Sequence, residues 1–361
     1  MGKDRKIKNR FVRLLIQGGI FFVVLELAIA LIAEFGGVNI ITPTYQMNEY
    51  GNFLPIRSHV YGHTHAPNST YRINKACFST TYEFNSLGFR DDEFSVQSKK
   101  KRVVVLGDSF MEGFGVEREE LLSDRLENLS GFEHLNFGVS DKGPTQEFVL
   151  YDSIASKFEH DAIIWSVFPL NDFVDDDPNL KTAETIKPCW EGKYPDYQLK
   201  FFPKDAPDLP EKSWFKRFFK SYTYTYNGLF YIKQRLTANS GVEKGKISDY
   251  FNYTDDQLDR IKYSMERMRE SAGNRPISMI CIPSAYELEK ALSKDQKNVE
   301  SELSKYANEL NIEFFGLFDY FQKKEDIYAF YHSCDSHWNA GGHEQIAKLL
   351  FNQSKIYNEK N

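Results

Sequence analysis

Two short stretches of this sequence hold the residue types that acyl transfer requires. Gly107-Asp-Ser109 stands in the first third of the chain, and Asp335-Ser-His337 stands near its carboxyl end. A serine hydroxyl becomes a nucleophile when an imidazole takes its proton and a carboxylate orients that imidazole. The spacing of the second stretch lets His337 turn its ring toward Ser109 while Asp335 accepts from the other ring nitrogen. We therefore predict Ser109 as the nucleophile, His337 as general base and then acid, and Asp335 as the orienting group.

Acyl transfer also needs N–H donors for the negative charge that develops on the carbonyl oxygen. Asn171 follows a third apolar run, Ala162 to Val167, and can offer a side-chain N–H there. The backbone N–H of Ser109, together with one after the second predicted strand, would complete such an oxyanion hole.

The residues around Ser109 predict where it lies in the fold. The apolar run from Val103 to Leu106 is typical of a buried strand, and it ends at Gly107. Gly113 and Gly115 are predicted to keep a helix from starting at once. Ser109 would then lie on a strand-to-helix turn, at the edge where open α/β sheets bind ligands.

Strand and helix patterns alternate over residues 101–356. We predict strands at 102–107, 134–138, 162–167, 277–282 and 312–317, and helices at about 118–129, from Pro144, at 255–272, at 294–310 and after Asn339. This alternation predicts a parallel sheet with helices on both faces. The expected fold class is α/β, a flavodoxin-like three-layer α/β/α domain.

A long insertion at 173–250 interrupts this alternation and is rich in aromatic residues. An insertion of this length beside the carboxyl edge of a sheet is often a lid or a binding surface. The basic and aromatic piece from Trp214 to Lys220 is expected to form a packing helix. The alternative is a helix that rests on a membrane surface.

The amino-terminal residues 1–36 are predicted to form a basic cytoplasmic tail and a transmembrane anchor. Basic residues precede an apolar run from Leu14 to Phe35, which is long enough to span a membrane. The basic cluster places this end in the cytoplasm and the rest of the chain outside it, in the periplasm or at the cell surface. A signal peptide cleaved after Ala28-Ile-Ala30 is the alternative, and it also exports the domain.

Glu26 is an acid within the predicted span, where a charged side chain is costly. It could be protonated, pair with another membrane helix in a partner protein, or be tolerated as a single acid. Residues 37–100 are predicted to form a linker and then a β-rich excursion, in which His63 and His65 form a surface pair rather than a metal site.

The remaining composition narrows the class of protein. The net charge of −6 is unfavourable for a nucleic-acid-binding protein. Four cysteines, Cys77, Cys189, Cys281 and Cys334, allow up to two disulfides, and the sequence leaves their pairing open. Cys281 lies in an apolar run and is expected to be a buried thiol. His332, Asp335 and His337 could instead form a metal site, but this set lacks further ligands.

With these stretches in view, the sequence resembles the SGNH (GDSL-type) hydrolase family. The resemblance rests on Gly107-Asp-Ser109-Phe, on Asn136-Phe-Gly138-Val-Ser, on Asn171 and on Asp335-Ser-His337. It implies an oxyanion hole formed by the Ser109 and Asp141 amides and by Asn171. Asp141 stands where the family usually has glycine, and Pro169-Leu170 stands where a glycine often precedes the asparagine.

The resemblance implies a membrane-anchored bacterial branch of the family and a serine acyl-ester hydrolase that acts through an acyl-enzyme. It implies no cofactor and no metal, and an acyl-ester substrate for which an acetylated glycan is a candidate, as for a carbohydrate O-deacetylase. Two alternatives remain open. One is an O-acyltransferase that modifies a cell-surface glycan, and the other is a non-catalytic, membrane-anchored module that binds a glycan or a partner.

Overall fold

The computed structural model describes residues 2–38, 40–47, 56–178, 187–201, 213–241, 250–290 and 298–358. Parts of the predicted linker and insertion lie outside these residues. Residues 294–297 of a predicted helix also lie outside them.

The amino-terminal region combines one long helix with two hairpins. Helix α1 (Gly2–Phe35) contains, within Asn9–Phe35, an 18-residue window with a mean hydropathy of 2.4, and it is the one helix among the described residues that is long and apolar enough to cross a membrane. A signal sequence would meet the same criterion. Strand β1 (Ile56–Ser58) pairs with β2 (Gly62–Thr64), and β3 (Thr70–Lys75) pairs with β4 (Phe78–Glu83), both antiparallel. Both hairpins lie within residues 37–100, where the sequence predicts a β-rich excursion.

The elements that follow build the main domain and its insertion. In chain order they are β5 (Arg102–Leu106), α2 (Ser109–Glu112), α3 (Leu122–Ser130), β6 (Glu133–Asn136), α4 (Pro144–Ser153), β7 (Ala162–Val167), α5 (Pro169–Asp175), β8 (Cys189–Glu191), β9 (Gln198–Lys200), α6 (Trp214–Tyr222), α7 (Tyr224–Gly241), α8 (Asp255–Ala272), β10 (Ile277–Cys281), α9 (Ala285–Lys290), α10 (Val299–Glu309), β11 (Glu313–Gly316), α11 (Phe318–Gln322), α12 (Ala340–Gln353) and α13 (Lys355–Asn358).

Five parallel strands form the central sheet in the order β6-β5-β7-β10-β11. In chain order this is 2-1-3-4-5, the flavodoxin-like arrangement. Strands β5, β7 and β10 are buried along their whole length because helices cover both faces of the sheet. The predicted fold class is therefore confirmed.

The direction of the crossovers explains the two helical layers. The connection from β5 to β6 through α3 runs one way along the sheet, and the connections through α4, α8 and α10 run the other way. Because such crossovers are right-handed, α3 lies on one face and the other three helices lie on the opposite face. Helix α12 packs against α3.

The strand order reverses between β5 and β7, so the chain leaves these neighbouring strands toward opposite faces. The crevice that opens at such a reversal is the usual ligand site of an open α/β sheet. The turns that carry Ser109 and Asn171 follow these two strands. The rings of Phe110 and Phe168, one from each turn, lie 4.7 Å apart between centroids.

Two predictions about local structure need correction. A helix does start at once after β5, because α2 begins at Ser109, and Gly113 ends it after one turn with a φ of 79°. In the insertion, α6 is a helix as predicted, but Trp214, Phe215 and Phe219 are exposed rather than packed.

The close approach of α2 to the loop after β6 depends on Gly138. A Cβ atom at this position would lie 2.6 Å from the backbone nitrogen of Glu112, in the last residue of α2. Asn136 strengthens the same contact, because its side chain donates to the Met111 carbonyl and accepts from the Gly138 amide, both at 2.9 Å.

We expect Gly138→Ala to lower the free energy of unfolding by about 2 kcal/mol, because the added methyl overlaps the α2 backbone. Urea denaturation measures this change. Gly131→Ala is the comparison, since Gly131 has open space around it but a φ of 73°, so that its loss comes from backbone strain alone and not from overlap with other atoms. A loss for Gly138→Ala no larger than that for Gly131→Ala would contradict the packing role.

Candidate active site

Ser109, His337 and Asp335 form one hydrogen-bonded chain across 228 residues of sequence. The Ser109 Oγ lies 2.7 Å from His337 Nε2, and His337 Nδ1 lies 2.5 Å from Asp335 Oδ1. A carboxylate can only accept, so Nδ1 carries the proton and Nε2 is free to accept the serine proton. The structure thus brings together the three residues that the sequence predicts as nucleophile, base and orienting group.

The amino-terminal end of α2 fixes the position of Ser109. The Asp108 side chain caps this helix by accepting from the Phe110 amide at 2.9 Å. The preceding strand β5 is buried throughout, so the turn has little freedom to move. The Ser109 hydroxyl therefore faces the crevice from a rigid support, as a nucleophile requires.

The loop between α11 and α12 presents His337 and Asp335. Tyr331 and Trp338 pair across this loop, and the His332 amide donates to the His337 carbonyl at 2.9 Å. Trp338 is fully buried and anchors the loop to the core. Asn339 ends it by capping α12, where its side chain accepts from the Gly342 amide.

Two phenylalanines close to Ser109 in the sequence pack on the imidazole of His337. The rings of Phe110 and Phe114 lie 5.0 and 4.7 Å from the ring of His337. These contacts restrict ring rotation and keep Nε2 directed at Ser109.

Lys75 is a member of the site that the sequence analysis missed. Its ammonium group, at the end of β3, forms a buried ion pair with Asp335 Oδ2. Asp335 therefore uses one oxygen for His337 and the other for Lys75. This arrangement argues against the alternative metal site of His332, Asp335 and His337. The Lys75 ammonium group pairs with Asp335 Oδ2, the carboxylate oxygen that His337 leaves for a metal ion.

A disulfide between Cys77 and Cys334 ties the β3–β4 hairpin to the loop that carries Asp335 and His337. Cys77 lies in the turn between β3 and β4, two residues after Lys75, and Cys334 directly precedes Asp335. The bond answers the pairing question that the sequence left open. Cys281 is a buried free thiol as predicted, and Cys189 is a second one.

The surroundings of Asp335 keep its carboxylate charged. Burial alone would raise its pKa, but the hydrogen bond from His337 and the charge of Lys75 hold the pKa of Asp335 well below its usual range. A carboxylate that stays ionised can stabilise the imidazolium that forms when His337 takes the serine proton.

Asp141 adopts the left-handed conformation that glycine favours, with a φ of 61°. Lys187 from the insertion donates to its carbonyl oxygen, and the Asp141 side chain points to solvent. The conformation expected of glycine is therefore kept by an aspartate whose side chain is exposed. Lys187 also contacts Asp175, so the insertion helps to shape this loop.

Three N–H donors at the crevice have no acceptor within the described part of the chain. They are the backbone amides of Ser109 and Asp141 and the half-buried side chain of Asn171. Asn171 lies in the first turn of α5, directly after β7. These are the three donors that the resemblance implies for an oxyanion hole.

The prediction of a surface pair for His63 and His65 is wrong, because His65 is buried and His63 is half-buried. His65 Nε2 lies 3.0 Å from Glu112 Oε2 in α2, and His63 Nε2 lies 2.8 Å from the Ser140 carbonyl. Glu112 Oε2 also accepts from the Ser140 amide at 2.6 Å. The β2 strand thus supports both α2 and the loop that carries Asp141.

Three buried carboxyl groups lie behind the crevice. Burial raises the pKa of Asp108 to about 7, and burial raises the pKa values of Glu147 and Asp172 well above their usual range. Burial therefore disfavours the negative charge of all three groups beside the crevice, which favours the binding of an anionic oxygen there.

No protein-family model and no curated protein matches this chain. It is similar in fold to solved structures such as a lipase/acylhydrolase from Enterococcus faecalis, which is 10% identical, covers 70% of this chain and 94% of its own length, and has a TM-score of 0.41. A protein from Desulfitobacterium hafniense assigned to the G-D-S-L lipolytic family has 12% identity, coverages of 70% and 98%, and a TM-score of 0.39.

A salicylyl-acyltransferase from a tetracycline biosynthetic pathway is also similar. It is 13% identical, covers 72% of this chain and 55% of its own length, and has a TM-score of 0.40. Similarities at this level do not define a reaction. The chemistry of this chain therefore rests on its own residues and their geometry.

We expect Lys75→Met to lower kcat/KM for p-nitrophenyl acetate by at least about tenfold, since a hydrogen bond between charged groups contributes about 1.5–3 kcal/mol. Lys75 is one of the groups that hold the pKa of Asp335 low, so without the lysine charge the carboxylate should be protonated at a higher pH and the acidic limb of the pH–rate profile should move to higher pH. Lys75→Arg should restore the profile. An unchanged profile for Lys75→Met would show that Lys75 has only a structural role.

We expect the double variant Cys77→Ala/Cys334→Ala to unfold with a free energy about 3 kcal/mol lower, because a long loop is no longer closed in the unfolded chain. Ester turnover should fall as well, since the hairpin that carries Lys75 loses its tie to Asp335. Dithiothreitol should reproduce both effects in the unaltered protein and have no effect on the double variant. Equal stability of the double variant and the unaltered protein with its disulfide formed would refute the proposed tie.

Proposed function

We propose that this protein is a serine acyl-ester hydrolase of the SGNH (GDSL) type. The observation that carries the proposal is the hydrogen-bonded chain of Ser109, His337 and Asp335 at the point where the strand order of the sheet reverses. Three N–H donors beside this chain, which have no acceptor among the residues that the structure describes, supply the second requirement of acyl transfer.

The geometry supports the following mechanism. Ser109 Oγ attacks the ester carbonyl as its proton passes to His337 Nε2. The carbonyl oxygen becomes an oxyanion that accepts from the Ser109 and Asp141 amides and from the Asn171 side chain. Collapse of this intermediate breaks the ester bond, and His337 gives its proton to the departing alcohol, which leaves an acyl group on Ser109.

The second half of the reaction repeats these roles with water. His337 takes a proton from water as the oxygen attacks the acyl-enzyme, and it returns the proton to Ser109 when the acid leaves. Asp335 stabilises the imidazolium in both halves and remains ionised throughout. The resemblance to SGNH enzymes makes an acetylated carbohydrate the substrate class we propose.

The amino-terminal helix supports a proposal for location. With the basic residues before Leu14 in the cytoplasm, α1 would span the membrane and the α/β domain would lie outside it. The disulfide between Cys77 and Cys334 agrees with an oxidising compartment. In this arrangement residues 1–36 anchor the chain, residues 37–100 form the hairpin region and residues 101–356 form the catalytic domain with its insertion.

Labelling with a fluorophosphonate tests the mechanism directly. We expect one adduct on Ser109, located by peptide mass spectrometry, and its loss in Ser109→Ala. Asp335→Asn should lower kcat for p-nitrophenyl acetate by about 10³–10⁴-fold, because the carboxylate no longer orients and stabilises the imidazole. Ser333→Ala, an exposed serine on the same loop, is the control and should keep full labelling. An adduct elsewhere, or unchanged turnover in Ser109→Ala, would refute the enzymatic proposal and favour a binding module.

The same acyl-enzyme could pass its acyl group to a sugar hydroxyl instead of water. A turnover assay with p-nitrophenyl acetate, run with and without a cell-wall oligosaccharide, distinguishes the two outcomes. We expect free acetate to dominate in both cases. Acetylated oligosaccharide in excess of free acetate would assign the protein as an O-acyltransferase.

A further inference from the structure

Helices α6 and α7 expose large apolar side chains of the kind that are normally buried in a domain surrounded by water. On α6, Phe215 is 69% exposed and Trp214 is 52% exposed. Exposed apolar residues continue along α7, namely Leu229, Phe230, Ile232 and Leu236. A patch of this kind marks an interaction surface.

Helix α7 packs directly on α1, the candidate membrane span. The Glu26 carboxylate on α1 accepts from the Thr225 amide in the first turn of α7 at 2.9 Å. Gly228 lets the two helices approach closely, since a Cβ atom there would lie 2.8 Å from Ile29 Cγ2. Tyr224 completes the contact by donating its hydroxyl to Glu34 at 2.9 Å.

This packing gives the acid within the predicted span a partner in its own chain. The first amides of a helix lack intrahelical acceptors and attract negative charge, so the start of α7 suits a carboxylate in an apolar setting. Glu26 therefore has a stabilising contact without a second membrane protein.

The position of Glu26 sets the depth at which α7 would begin. Arg13 marks the inner boundary of the span, and the 20 residues from Leu14 to Ala33 measure about 30 Å, the thickness of a hydrocarbon core. Glu26 then lies about 10 Å inside the outer boundary. Amphipathic helices at a membrane interface bury their apolar faces to a similar depth, about 5–10 Å.

The charges on the two helices also suit a membrane interface. All the ionisable residues of α6, and the nearest ones on α7, are basic apart from tyrosines: Lys216, Arg217, Lys220, Lys233 and Arg235. Basic side chains on the polar face, with tryptophan and phenylalanine on the apolar face, are typical of helices that lie in the plane of a membrane containing anionic lipids.

We propose that α6 and the first turns of α7 insert into the outer leaflet beside α1, so that the lipid bilayer is the partner of this surface. This inference rests on the proposal that α1 spans the membrane. The apolar surface of α6 and α7 is continuous with the lipid-facing surface of α1 through the contact at Gly228 and Ile29. Because the two apolar surfaces are continuous, the lipid that surrounds α1 would also cover α6 and α7.

The same helices are joined to the active site. Lys220 at the end of α6 donates to the Tyr71 hydroxyl on β3 at 2.8 Å and lies over the same ring. Four residues later β3 ends at Lys75, the partner of Asp335. Burial of α6 and α7 in lipid would therefore hold the catalytic crevice at a fixed distance from the membrane surface.

Tryptophan quenching by brominated lipids tests the proposal in the full chain. Trp214 is the one exposed tryptophan of the four in the sequence, since Trp165, Trp190 and Trp338 are buried in the protein. The protein is placed in vesicles of phosphatidylcholine and phosphatidylglycerol, with bromines at a shallow or a deep acyl position. We expect the shallow bromines to remove roughly one quarter of the emission, the share of one tryptophan in four, and the deep bromines to remove less.

Two variants make the result specific. Trp214→Phe should abolish the quenching, and Phe215→Glu should at least halve it because a charge on the apolar face opposes insertion. Both should keep fluorophosphonate labelling, since neither residue touches the site. Co-flotation with vesicles after alkaline extraction reports separately on α1. Flotation without quenching of Trp214 would overturn this proposal and leave the anchor and the catalytic proposal standing.

Discussion

The structure of the candidate site depends on the two contacts that the buried carboxylate of Asp335 makes. One of its oxygens holds His337 toward Ser109, and the other binds Lys75 on the β3–β4 hairpin. A buried carboxylate is costly unless its oxygens are paired, so the hairpin cannot be removed without leaving a charge unsatisfied. The region that precedes the α/β domain is therefore a structural part of the site.

The rest of the site is supported in a similar way, by elements from outside the sheet. His65 and Glu112 join the first hairpin to α2 and to the loop after β6, and Lys187 from the insertion holds the carbonyl of Asp141. A parallel sheet supplies the crevice, because its strand order reverses between β5 and β7. The hairpins and the insertion then fix the side chains that line it, which explains why a small sheet carries such long additions.

The contact between α1 and α7 follows the same physical logic at a different place. Glu26 would be unfavourable alone in a lipid-facing helix, and the start of α7 supplies the N–H donor that it needs. The insertion thus contacts both α1 and the loop of Asp141. If α6 and α7 lie in the outer leaflet, one segment connects the position of the protein on the membrane with the shape of its crevice.

The sequence by itself was enough to predict the parallel α/β fold, the five strands of its sheet and the three members of the hydrogen-bonded chain. Apolar periodicity is a local property of the sequence, so it predicts strands and helices directly. The short spacing of Asp335 and His337 limits the arrangements that their two side chains can adopt. Only the tertiary structure decided the pairing of Cys77 with Cys334, the place of Lys75 and the burial of His63 and His65. These depend on contacts between elements far apart in the chain, and a lysine or histidine on a short strand carries no local pattern that reveals its distant partner. The start of α2 at Ser109 was decided by the Asp108 cap, which outweighed the glycines that follow.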